Sequence, residues 1–380
     1  MPSGSASRPR LGVIVNPVAG IGGAVALKGS DGPETVALAR TRGAVPQAPA
    51  RAGRALRGLG AGGSLAVLAA PGVMGADLAR VAGLAVTPTG GPCEGPTTAE
   101  DTRTAATAMR ESGVELLLFA GGDGTARDIY DAVGTELALL GIPAGVKMHS
   151  GVFAPSPEAA AVAGETFLRL GSRARLRDAD IADVDEQAAR EGRVDSVLYG
   201  AARVPDLPRL VLPTKSGSRT NSGADLEALC AAVAAELGPE TLYLLGPGTT
   251  TAAVLDALGL RGTLLGVDAI RNERLLQADL TEAQILALLD RHGDDVRLIV
   301  GLVGGQGALF GRGNRQLGAR VLRRIGRSRI TILSAADKLL ALDPPSLWVD
   351  TGDPELDAEL SGYVRVDVAP RRQMVMKVSR

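Results

Sequence analysis

Four times along the chain a strand-like apolar run ends in a glycine-rich loop, and a helical pattern follows. LGVIV leads into NPVAGIGG (16–23), VELLLFA into GGDGT (121–125), ETLYLL into GPGTTT (246–251), and VRLIVGLV into GGQGALFGRGN (304–314). This strand, loop, helix rhythm is that of parallel sheets crossed over by helices, because parallel neighbours need a long connection and a helix supplies it. Aromatics are only 2% of the chain, so the core must be built from Leu, Val, Ala and Ile, which suits strands buried on both faces. At 380 residues, beyond the roughly 250–300 at which single cores stop growing, two domains are expected.

The boundaries suggested are a disordered lead-in over 1–10, an α/β domain over 11–155, and a second domain over 156–380. The second domain starts with a helix, EAAAVAGETFLRLG. Two charged-edged strands follow, ARLRDADIADVDE and VDSVLYGAARVP, and then a Ser/Gly/Thr-rich loop at 213–225. After it the βα alternation resumes, with mixed strands. A net charge of −1, with arginines scattered among acids, argues against a nucleic-acid footprint or an anionic-membrane surface. No apolar run reaches the ~18 residues of a spanning helix, and the opening MPSGSASRPR lacks a signal-peptide core. Cys93 and Cys230 fit no metal spacing, so a cytoplasmic location is expected.

In an open α/β sheet ligands bind beyond the carboxyl ends of the strands, where all four loops fall. Without Cβ atoms, loop amides can approach phosphate oxygens, and a following helix N-terminus adds about half a positive charge. The sequence therefore nominates Asn16, Gly20, Gly22, Gly23, Gly121, Gly122, Gly124, Gly246, Gly248, Gly305 and Gln306 as phosphate-binding loop residues. GLGAGG (58–63) matches a dinucleotide fingerprint letter by letter, but it follows a helix and reads as a cap and turn. No G-x-x-x-x-G-K-[ST] occurs.

GGDGT is the most specific segment. Gly121 and Gly122 permit a sharp exit from the strand, Gly124 permits a positive φ, and Thr125 with Asp128 reads as a capping box. Asp123 is thereby held at the mouth of the sheet. A carboxylate there can accept the proton of an attacking hydroxyl or hold Mg²⁺ that bridges nucleotide phosphates. The bland alternative is an Asp that bonds the amides of its own turn.

GGDGT is shared by NAD kinases, diacylglycerol and sphingosine kinases and phosphofructokinases, which transfer phosphate to a hydroxyl. NPVAGIGGAVALKGSDG, TTAEDT, GIPAGVKMHSGVFAPSP, GPGTTTAAVLDALG, GGQGALFGRGN and WVDTGD together resemble the ATP-NAD kinase family, on its acetoin-catabolism kinase-like branch. The resemblance runs over nearly the whole chain. It implies an N-terminal doubly wound parallel sheet of the NAD kinase and phosphofructokinase type, ATP and Mg²⁺ as cofactors, and NAD as substrate. It also implies Asp123 as catalytic residue and Asn16 with the following glycines as the nucleotide loop. The Asn-Glu pair that grips the dinucleotide in well-studied NAD kinases has no equivalent at the expected distance. The chain's one Asn-Glu is Asn272–Glu273, and Asp185–Glu186 lies nearer but lacks the Asn.

Further candidates carry structural alternatives. Lys147 and Ser150 in AGVKMHSG could meet phosphate or form a polar loop, and His149 there has no carboxylate partner in sequence. Lys28 and Asp31 resemble a lid-like loop. Thr249, Thr250 and Thr251 offer hydroxyls at a helix start, one of them as its cap. Asp268 at a strand end could take a ribose hydroxyl or metal, or cap a helix. Arg312 and Asn314 could reach an anion, whereas Asp350, Asp353 and His292 read mainly as turn and helix-end residues. The partners expected are small-molecule nucleotides; a homo-oligomer is left open, and no metal ligand set is assigned.

Overall fold

The computed structural model describes residues 8–27, 33–59, 65–91, 96–145, 148–184, 196–207, 210–211, 223–293, 295–303 and 307–380. The chain forms two compact units. The first takes the described residues of Met1–Gly20, Pro46–Asp183 and Ser196–Thr214, and the second those of Ile21–Val45, Val184–Asp195 and Lys215–Arg380.

Five parallel strands build the first unit: β1 (Arg10–Val15), β2 (Ala66–Ala69), β3 (Val86–Pro88), β4 (Leu116–Gly121) and β5 (Ala138–Pro143). Their order across the sheet is β3-β2-β1-β4-β5. The chain thus grows outward from β1 on one side, then crosses back to continue from β4 on the other. Every residue of β4 and β5 is buried, as the apolar runs LLLFAG and ALLGIP require. Helices supply the crossovers. Thr98 opens the helix Ala99–Glu111 with a capping box to Asp101, and Ser156 caps Pro157–Leu170, whose Pro157 sits where its missing N–H costs nothing.

Two further strands, β6 (Leu176–Val184) and β7 (Ser196–Pro205), pair as the sequence suggests. β7 leans on the helix Asp123–Val133. Tyr199 Oη donates to Asp131 at 2.9 Å, the Arg127 guanidinium stands 5.8 Å from the Tyr199 ring centre, and Gly200 leaves room for the Tyr130 ring.

The second unit carries a nine-stranded mixed sheet of β8 (Leu242–Leu245), β9 (Asp268–Arg271), β10 (Arg274–Gln277), β11 (Val296–Gly301), β12 (Ala308–Phe310), β13 (Ile330–Leu333), β14 (Ser346–Val349), β15 (Gly362–Ala369) and β16 (Arg372–Ser379). The order is β10-β9-β8-β11-β13-β15-β16-β14-β12. β8, β11, β13 and β15 run parallel, β9 turns against both its neighbours, and β16 runs against β15 but parallel to β14. Asn272 and Glu273 are the two-residue turn between β9 and β10, with φ 51° and 54°. Positive φ at both positions is the primed hairpin turn, which matches strand twist and favours Asn. The chain's Asn-Glu pair is therefore turn chemistry. Among the described residues no helix is long and apolar enough to cross a membrane.

The first sheet is packed without slack at Gly141 in β5, where an added Cβ would overlap the Phe153 ring. That ring is held edge-on to Phe119 at 5.5 Å. Gly141→Ala should therefore lower the stability of the first unit by about 1–3 kcal/mol, read as a drop in urea midpoint, because neither ring can leave a filled core.

Candidate active site

The reversal of strand order between β1 and β4 opens a crevice at their carboxyl ends, the place where doubly wound sheets take ligands. Asn16 follows β1 directly, and Gly122 and Asp123 follow β4. The two exits are tied together: Asn16 N–H donates to the Ala120 carbonyl at 2.9 Å, and Asn16 Nδ2 donates to Thr125 Oγ1 at 3.0 Å. Gly20 takes a left-handed φ of 77° at the end of this loop. Gly22 and Gly23 belong to the second unit.

Asp123 is the first residue of the helix Asp123–Val133, with Gly122 as its N-cap. Its carboxylate is half-buried and accepts three hydrogen bonds from one short segment. His149 N–H donates to Oδ2 at 2.7 Å, Ser150 N–H to Oδ1 at 3.1 Å, and Ser150 Oγ to Oδ1 at 2.5 Å. Ser150 is fully buried, and its Oγ in turn accepts from Ala182 N–H of β6 at 3.0 Å. Gly151 N–H reaches the Asp180 carbonyl at 2.8 Å. The segment after β5 is thus clamped between β6 and the carboxylate. The His149 ring was the feature singled out in sequence, yet its backbone amide is what meets Asp123.

The motif's local geometry differs from the sequence expectation in two places. The helix starts at Asp123, two residues before the expected cap, so Thr125 lies inside its first turn and caps nothing. Asp128 completes no capping box and instead pairs with Arg103 at 3.0 Å. Gly124 is helical, and the expected positive φ is absent there. Gly121 and Gly122 are demanded by close approach. A Cβ at Gly121 would stand 2.5 Å from both Cβ and Oγ1 of Thr125, and one at Gly122 would stand 3.0 Å from Gly145 Cα. Arg51, which composition gave no reason to select, is buried and donates through Nε to the Pro143 carbonyl at the carboxyl end of β5. Pro143 is registered beside Gly121, so a guanidinium lies at the same rim.

In the second unit, Gly246 and Gly248 follow β8, and Gly248 takes a φ of 134° before the helix Thr249–Ala257. None of the three threonines caps that helix. Thr249 is exposed, Thr250 is buried, and Thr251 Oγ1 donates back to the Gly246 carbonyl at 2.6 Å. Asp268 begins β9 rather than ending a strand. It is 2% exposed and accepts from Thr263 N–H at 2.6 Å, Thr263 Oγ1 at 2.8 Å and Asp279 N–H at 2.9 Å, which ties two turns to the strand. Asn314 is buried and closes its own loop, accepting from Gly311 N–H at 3.0 Å and donating to the Leu309 carbonyl at 2.8 Å. Arg312 is buried in the same loop. Asp353 caps the helix Pro354–Leu360 and pairs with Arg323 at 2.8 Å, which holds its carboxyl below the usual carboxylate range. Lys28, Asp31, Lys147, Gly305 and Gln306 lie outside the described residues.

An open doubly wound sheet with an acidic helix start pinned at its switch point defines the first unit as an α/β domain of the doubly wound class. Comparison with protein families narrows the class. Residues 11–171 match the ATP-NAD kinase N-terminal domain and residues 239–378 match the ATP-NAD kinase C-terminal domain. The chain belongs to the ATP-NAD kinase family, whose members are kinase-type phosphotransferases. No match was found among curated proteins or solved structures.

The clamp can be tested by stability. Ser150→Ala removes one bond to Asp123 and leaves the Ala182 amide buried without its acceptor. The expected loss is about 1–3 kcal/mol, seen in chemical denaturation, together with faster hydrogen exchange at Ala182. Unchanged exchange there would show that the clamp holds without the hydroxyl.

Proposed function

We propose that this protein transfers a phosphoryl group from ATP to a hydroxyl, with the ribose 2′-hydroxyl of NAD as the first acceptor and NADP as product. The observation that carries the reading is the position of Asp123, one residue beyond Gly122 at the switch point of a parallel sheet, with its carboxylate plane fixed by His149 and Ser150. A carboxylate so fixed orients an acceptor hydroxyl without having to reorganise. The amides of Gly121, Gly122 and Gly124 and the N-terminus of the helix beside them would attract phosphate, and Asn16 with Gly20 would line the other side of the crevice. Lys147, Gly22, Gly23, Gly246, Gly248, Thr249 and Thr250 remain proposed phosphate contacts. Phosphoryl transfer needs little covalent help, so positioning and charge neutralisation would supply most of the rate.

Magnesium suits this donor set as an ion carried by the nucleotide. Among the described residues no group of three His, Cys, Asp or Glu side chains could hold a metal, and magnesium commonly rests on substrate phosphates with few protein ligands. When bound it would neutralise phosphate charge. Cytoplasmic location and nucleotide partners belong to the same proposal.

A second reading is nucleotide binding without turnover. It is favoured by the same clamp, since three donors on a carboxylate are also what a purely structural aspartate would show. The experiment that separates the two supplies ATP, Mg²⁺ and NAD to purified protein and scores NADP. The kinase reading expects NADP, and Asp123→Asn should lower turnover by roughly 10²–10⁴-fold with ATP binding retained. ATP consumption with other hydroxyl acceptors but not NAD would replace the acceptor and keep the chemistry. ATP binding with no turnover on any acceptor would leave the sensor.

A further inference from the structure

The second unit contains a cavity of about 620 Å³, floored by Phe310, Ile332 and Leu360, with Arg327, Tyr363 and Arg365 at its rim. It follows from a splay between two strands. β13 and β15 run parallel but are registered at a single pair, Leu333 with Asp367. Continued in register, the pairing would set Ile330 beside Val364; that pair is not made, and both residues line the cavity. Arg327, in the short turn Arg327–Arg329 before β13, bridges the open end. Its Nη1 donates to the Glu359 and Ser361 carbonyls at 3.3 and 3.2 Å, and its Nη2 to the Tyr363 carbonyl at 2.6 Å. Phe310 belongs to β12, on the far edge of the sheet, so the sheet curls round the opening.

The size, and an apolar lining with a few polar groups, are those of a small-molecule site. Charge at the rim narrows the ligand. Arg365 is exposed and has no hydrogen bond or ion pair among the described residues. The acids on the flanking elements are engaged elsewhere, Glu359 with Arg323 at 3.1 Å and Asp367 with Gln373 at 2.7 Å. Arg327 gives both its Nη atoms to carbonyls, which leaves Arg365 as the open fork. One guanidinium fork above an apolar floor matches a singly charged carboxylate, whose two oxygens it takes as a pair. A phosphate dianion would carry a second charge to a floor that offers no side-chain donor.

We propose that this cavity binds a small carboxylate with an apolar body, its head on Arg365 and its body in the gap between β13 and β15. The site does not depend on the kinase reading, because it concerns binding in the second unit and requires no turnover.

The test titrates octanoate into the full-length protein by calorimetry, with acetate as the head alone and octanol as the body alone. Octanoate should bind saturably, and each control should bind roughly tenfold more weakly or worse, since each lacks half of the contact. Arg365→Gln changes an exposed position and should leave Tm as it is; it should weaken octanoate roughly tenfold and leave octanol unaltered. Val364→Phe fills the floor and should weaken octanoate and octanol together. Should that variant fail to fold, the Arg365→Gln result decides. Octyl phosphate that binds more tightly than octanoate would overturn the choice of head group. An absent octanoate isotherm, equal octanoate affinity in wild type and Arg365→Gln, or a dimer in sedimentation that excludes octanoate because a second copy covers the cavity would overturn the site.

Discussion

Three hydrogen bonds onto the Asp123 carboxylate fix the geometry of the first unit's rim. Two come from consecutive backbone amides and one from a buried hydroxyl, so the acceptor group is gripped on both oxygens by a segment lying just beyond β5. That segment is itself fastened to β6 through Ala182 and Asp180. The helix N-terminus, the strand end and the outer strand pair thus share one polar joint. In a buried setting such a joint strengthens when complete and costs most when broken, which makes it specific as well as stabilising.

The sheet's order gives this joint its meaning. Because β1 and β4 are neighbours while the chain departs from them in opposite directions, their exits cannot be covered by a shared crossover, and a crevice follows from topology alone. Asn16 and Asp123 stand on its two sides, linked through Thr125. In the second unit the glycine loops after β8 and around Asn314 are closed by their own side chains and carbonyls, with Thr251, Asp268 and Asn314 each satisfied internally. Similar sequence texture therefore sits on the joined exits of β1 and β4 in one unit and on turns braced by their own side chains in the other.

Much of the fold was legible because its strands are long apolar runs with glycine punctuation: β1, β4, β5, β8 and β11 all stand where such runs predict them. The strands that escaped, β3, β10, β12 and β16, are short or alternate with exposed polar residues, as in RQMVMKVS, where long-range pairing with β15 supplies what local pattern does not. At the candidate site, the placement of Asp123 and Asn16 at strand ends was legible from the motif and its strand. Ser150 was singled out as a donor, but its target, a carboxylate 27 positions earlier, depends on tertiary pairing. Arg51 carried no signal, since burial of an arginine is set by packing and leaves no periodic trace.

The contact between Gly121 and Thr125 has an evolutionary reading. Any side chain at Gly121 would evict the threonine from its seat against the strand end, and with it the hydroxyl that Asn16 holds. The signature is thus partly self-locking: Gly121 and Thr125 are required for the helix to dock, before any substrate arrives. A chain that kept this sheet without any chemistry at its rim would still need these two residues, so they mark a way of joining strand to helix.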